Sequence, residues 1–155
     1  MKTLTKLSLV AIAALSSALT QAAVTSASIP VSLTVAKKCS ISGVAANIVI
    51  PNDTSKGTGA FTVICNTPYS ITTSTVNTTN AATFVKSTSN ATHTLNTQID
   101  VDLNGTAVPV NVGTPLSQSG LSSDTYNVNV ALVTAISQTT PAGVYNDTLN
   151  ISVDY

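Results

Sequence analysis

Arginine, glutamate and tryptophan are absent from the 155 residues, and charge of either sign is scarce. Six Lys and six Asp make up 8% of the chain, against about 25% charged residues in an ordinary soluble domain. Proton-transfer catalysis needs a poised His, Glu or buried Asp pair. Here there is one histidine, His93, set between Thr92 and Thr94 in a polar stretch, and no Gly-x-Ser-x-Gly elbow for a nucleophile. The seven glycines are dispersed, so no phosphate-cradling loop is present. A structural zinc site takes four ligands, and the neighbouring Asp100 and Asp102 offer too few oxygens for a harder cation. The expectation is a protein with no catalytic residues, no cofactor and no metal.

Long hydrophobic runs are also missing. The longest extends from Leu7 to Leu19 and is interrupted by serines, short of the roughly 20 residues that span a bilayer. It follows Lys2 and Lys6 and precedes the small residues around Ala22, the three-part plan of a secretory signal. Residues 1–22 are therefore read as a signal peptide cleaved after Ala22. What remains carries four Lys and six Asp, a net charge of −2. Nucleic-acid binding, which requires clustered cations to neutralise phosphates, is excluded.

What the chain does have is Ser, Thr and Asn, 58 residues in all, with Val, Ala, Ile and Leu supplying most of its 43% hydrophobic content. This is the alphabet of strands with one buried face. Ala27, Ile29, Val31, Leu33 and Val35 alternate with polar residues, with Pro30 confining that segment to a sheet edge. Strands are expected at 39–50, 61–65 and from Tyr69 to Thr75, with a polar, loop-rich stretch between Ser70 and Thr97. Asn104-Gly105 fits a type I′ turn and predicts a hairpin over 95–112, pairing Val101 with Val108, Ile99 with Val110 and Thr97 with Val112. Tyr126, Val128, Val130 and Leu132 alternate, as do Tyr145, Leu149, Ile151, Val153 and Tyr155, a series broken by Asp147. Short strands with no amphipathic helix outside the signal argue a single all-β sandwich. Cys39 and Cys65, the only cysteines of an exported chain, read as a disulfide.

The two ends carry a resemblance. Ala23-Val24-Thr25 followed by an alternating run to Val35, Cys39 soon after, a second Cys in a following strand, and a terminal Pro-Ala-Gly-Val-Tyr-Asn-Asp-Thr-Leu-Asn-Ile-Ser-Val-Asp-Tyr at 141–155 together resemble a fimbrial subunit of the bacterial chaperone–usher pathway. The terminal pattern most resembles archaic pilus and spore coat protein U domain subunits, and Cys39 after Lys37-Lys38 is similar to Dr/Afa-type adhesive fimbriae. The resemblance implies an incomplete immunoglobulin-like β-sandwich completed by donor-strand exchange. Residues 23–37 become the donor extension and 38–155 the pilin domain. Ala27, Ile29, Val31, Leu33 and Val35 would be the donor anchors, and the acceptor groove would be lined by the strand starting at Cys39 and by Tyr126, Val128, Val130, Leu132, Leu149, Ile151 and Val153. Implied partners are copies of the chain or sister pilins, a periplasmic chaperone and an outer-membrane usher; the implied destination, reached through the periplasm, is the cell surface. An alternative is a polyadhesin of the same fold whose exposed loops around 70–97 also bind a host receptor.

Overall fold

The computed structural model describes residues 25–155, so the signal-peptide reading of 1–22 lies outside the described residues. Two units are distinguished, residues 1–34 and 35–155. In the first, residues 25–34 form no strand, and Ile29, Val31 and Leu33 are 86%, 94% and 87% exposed.

The second unit is all-β among the described residues. Its strands are β1 (Cys39–Ser42), β2 (Gly57–Cys65), β3 (Tyr69–Thr75), β4 (Thr78–Thr79), β5 (Ala82–Ser87), β6 (Thr94–Leu103), β7 (Thr106–Val108), β8 (Leu116–Gln118), β9 (Ser123–Leu132), β10 (Tyr145–Asn146) and β11 (Leu149–Asp154). One sheet runs β1-β2-β9-β6-β5-β10, with β4 added to β5 and β7 to β6; the other runs β11-β3-β8. All ladders are antiparallel.

Alternation decides which face is inside. Phe61, Val63 and Cys65 on β2, Tyr126, Val128 and Val130 on β9, and Val101 and Leu103 on β6 meet Tyr69 and Ile71 of the small sheet in one core. Phe61 and Tyr126, directly paired across β2 and β9, stack with ring centroids 5.0 Å apart. The Tyr69 hydroxyl donates to Asp124 Oδ2 at 2.6 Å and lies 2.9 Å from the Tyr126 hydroxyl. Two phenols in an apolar core thus keep their polar tips satisfied. Cys39 and Cys65 are bonded and face each other across β1 and β2. Closing a loop of this length stabilises the fold by about 3–4 kcal/mol in the chain-entropy model.

Several sequence expectations are corrected. The strand at 39–50 ends at Ser42, because Gly43 adopts φ +61° and turns the chain out of the ladder. The hairpin forms its turn, with Asn104 at φ 51° and Gly105 at φ 83°, and pairs Val101 with Val108, but it stops there. From Thr97 back to Thr94 the same edge of β6 is taken by β5. Pro109, with no N–H to give, starts the chain's departure to the other sheet. Val110 bridges to Thr73, and Ile99 and Thr97 lie beside Val130 and Leu132 on β9. The polar stretch from 70 to 97 contains β4, β5, nearly all of β3 and the start of β6, and its Thr73, Thr75, Thr83 and Thr97 are buried. Their hydroxyls are bonded internally, as in Thr83 Oγ1 to the Thr97 carbonyl at 2.7 Å. The last strand is two pieces: Tyr145–Asn146 joins β5, and Leu149–Asp154 crosses to β3.

The buried phenols make stability pH-dependent at the alkaline end. Burial, and then the hydrogen bond to Asp124, hold the Tyr69 phenol above its usual value, and burial does the same for Tyr126. A group whose folded pKa is raised contributes stability fully below its unfolded value, near 10 for tyrosine, and loses it as pH rises beyond. Urea midpoints should therefore fall above about pH 10, and less steeply in Tyr69→Phe. Equal slopes in the two proteins would show that Tyr69 does not carry the effect.

Candidate functional site

Each of the two sheets ends on an edge strand. β1 ends the large sheet and β11 ends the small one. After β1 the chain continues along 43–50 outside any ladder. The Ala45 N–H donates to the Ala60 carbonyl at 3.0 Å. Further on, the chain presses on β2 where two residues have no side chain. A Cβ on Gly57 would lie 2.2 Å from the Val49 carbonyl oxygen, and one on Gly59 would lie 2.6 Å from Ile48 Cδ1. Only glycine permits this approach.

Between segment 44–50 and β11 lies a groove of about 850 Å³. Phe61, Ile99, Val128, Val130 and Leu132 line its base, Ile48 and Ile50 one side, and Leu149 and Ile151 the other. The 140–144 turn lines it as well. Val44, Val49, Ile136 and Val144, all exposed, also belong to the lining. The outer edge of β11 pairs with no strand among the described residues. An apolar trough beside an unpaired backbone edge is the arrangement that soluble proteins ordinarily cover.

One charge enters this lining from the connection between β10 and β11, where Asp147 precedes Leu149 and Ile151 at the same parity. Its Oδ1 accepts from the N–H groups of Asn77 at 2.9 Å and Thr148 at 2.8 Å, which secures the crossing from β10 to β11. Its Oδ2 is buried with no hydrogen-bond partner.

Of the groove residues expected from sequence, Val128, Val130, Leu132, Leu149 and Ile151 come together in the lining. Tyr126 does not: it is fully buried under Phe61. Val153 packs on the core opposite Ile71 and is outside the lining. Ala27, Ile29, Val31, Leu33 and Val35 are exposed and belong to no strand. Sequence reasoning missed Ile99 and residues 140–144, and it read 44–50 as a continuation of the strand from Cys39 where the chain runs outside any ladder. The pair Gly57 and Gly59, inside an otherwise β-forming run, was the available signal for a close backbone approach. No group of three His, Cys or Asp that could hold a metal occurs among the described residues, and His93 lies near Asn90, 3.4 Å from Nε2 to Nδ2.

No protein-family model and no curated protein sequence matches the chain. Solved structures do. A chain in the CsuC–CsuE chaperone–tip adhesion subunit pre-assembly complex, from the archaic chaperone–usher Csu pili of Acinetobacter baumannii, aligns with a TM-score of 0.53 at 20% identity over 79% of this chain. A chain from a chaperone–tip adhesin complex of CFA/I fimbriae aligns with a TM-score of 0.50 at 15% identity over 74%. This chain spans 40% of the length of each. The sandwich therefore has the immunoglobulin-like all-β fold found among chaperone–usher pilus proteins, the family that both ends of the sequence resemble.

Proposed function

We propose that this chain is a non-catalytic structural subunit of a surface fimbria, exported through the periplasm with a chaperone and an usher, and polymerised by donation of residues 23–37 to the groove of the next copy. The observation that carries this reading is a matched pair of deficits. One is an apolar groove beside an unpaired β-strand edge; the other is an alternating segment with Ile29, Val31, Leu33 and Val35 exposed to solvent. Burying each such side chain is worth about 1.5–3 kcal/mol, and strand addition satisfies the edge at the same time.

The mature chain, purified without its partners, should be a poorly stable monomer that converts to SDS-resistant multimers on concentration. A monodisperse monomer with a cooperative high-temperature melt and no tendency to associate would refute the reading.

A further inference from the structure

The two rows that this reading brings together each contain one charge at matching ends. On the acceptor's edge the residues of one parity are Val153, Ile151 and Leu149 of β11, flanked by the exposed Tyr155 and by Asp147 in the connection from β10. The row of the donor with the same parity is Ile29, Val31, Leu33, Val35, then Lys37. Lys37 is exposed, and the one ion pair among the described residues joins Lys56 to Asp100 instead. Asp147 belongs to the groove lining, and its Oδ2 is buried without a hydrogen-bond partner.

Direction follows from where the ends lie. The donor segment leaves the domain beside the disulfide, where Asn66 donates to the Ala36 carbonyl at 2.8 Å and accepts from the Lys38 N–H at 2.7 Å, and β11 finishes nearby, with Asp154 opposite Ser70 at the start of β3. Asp147 is at the far end of the groove's edge strand. If a donor ran parallel to β11, its own domain would abut the acceptor's disulfide end, where the acceptor's extension also departs. Running antiparallel, the donor domain sits at the Asp147 end and leaves the other end free, so that copies add head to tail without limit.

Resting on the donor-strand reading, we infer that Lys37 of the incoming copy pairs with Asp147 of the acceptor and fixes the register of the exchanged strand. With Lys37 opposite Asp147, Val35 falls opposite Leu149, Leu33 opposite Ile151, Val31 opposite Val153 and Ile29 opposite Tyr155. A slip by two residues keeps the parity of every apolar side chain and costs little in burial, so alternation alone does not select a register. The ion pair does, because a slipped strand leaves the Asp147 carboxylate facing an aliphatic side chain.

The test is a double-mutant cycle in polymers of the mature chain, with Lys37→Gln, Asp147→Asn and the double variant, read as the rate of monomer release in SDS at fixed temperature. Asparagine keeps the Oδ1 acceptor that Asn77 and Thr148 use. Each single change should raise release at least about tenfold, as for other desolvated pairs. The double should be no worse than the poorer single, and Lys37→Arg should stay close to the parent. Multiplying effects, or Lys37→Gln polymers as durable as the parent, would overturn the pairing. Should Asp147→Asn fail to fold, Lys37→Gln against Lys37→Arg still decides, since residue 37 is exposed in the free chain. Val31→Asp is run alongside: normal polymerisation of that variant would remove the donor-strand reading itself, whereas its failure together with silent Lys37 variants would remove only the pair.

Discussion

Val31→Asp and Leu33→Asp are expected to abolish SDS-resistant polymer, while Ser32→Asp and Thr34→Asp leave the yield within about twofold of the parent, as surface substitutions usually do. On the proposed strand exchange, the alternation of the segment sends one parity into the apolar groove and leaves the other in water. An aspartate forced among Val128, Val130, Leu149 and Ile151 either ionises without a partner or is protonated at a cost; each route takes several kcal/mol. The remaining anchors contribute about 1.5–3 kcal/mol apiece and cannot absorb that loss without leaving the groove. All four positions are exposed in the free chain, so the variants share one monomer fold. Equal urea midpoints of the four variant monomers would verify this. If odd and even substitutions behaved alike, the period-two reading of residues 25–35 would be wrong.

Tyr126→Ala should unfold the isolated domain. The side chain is completely buried, stacks on Phe61 and shares a hydroxyl contact with Tyr69. Truncating a buried aromatic costs about 3–5 kcal/mol, a large part of the 5–15 kcal/mol that holds a typical domain together. In a sandwich with an open groove, little reserve remains. Tyr126→Phe keeps the stack and loses only the hydroxyl contact, for about 1 kcal/mol. Urea unfolding of the two variants beside the parent measures the difference. A Tyr126→Ala domain with a midpoint near that of Tyr126→Phe would mean that the Phe61 stack does not organise the core.

Legibility followed the physics of each element. β9 and β11 were plain in the sequence because every second residue of 126–132 and 149–153 is apolar, and a half-buried strand has no other way to be written. The Asn104-Gly105 turn was also plain, since few dipeptides tolerate two left-handed residues. How far the hairpin extends was not, because that depends on β5 occupying the edge of β6, a competition between segments distant in sequence. The burial of threonines on β3, β5 and β6 was not legible in a stretch read as polar and loop-rich, because nothing local announces that Thr83 and Thr97 will satisfy each other. At the groove, the strand-borne residues were legible, and segment 44–50 was legible as a continuation of the strand from Cys39 but not as chain lying off the ladder. It has strand composition but no ladder, and it is positioned by what Gly57 and Gly59 lack.

The link between Cys39 and Cys65 also sets how the domain carries mechanical load. β1 is four residues long, and its ladder to β2 begins at the bridged pair itself. A pull arriving along the chain before Cys39 meets a covalent bond at the first residue of the strand, so tension passes straight into β2, which is laced to β9 over eight residue pairs. The weak strand is taken out of the force path. In the oxidised domain, β1 and the groove wall beyond it keep their place while the central pair of strands bears the strain, and reduction would convert the same pull into peeling from the edge.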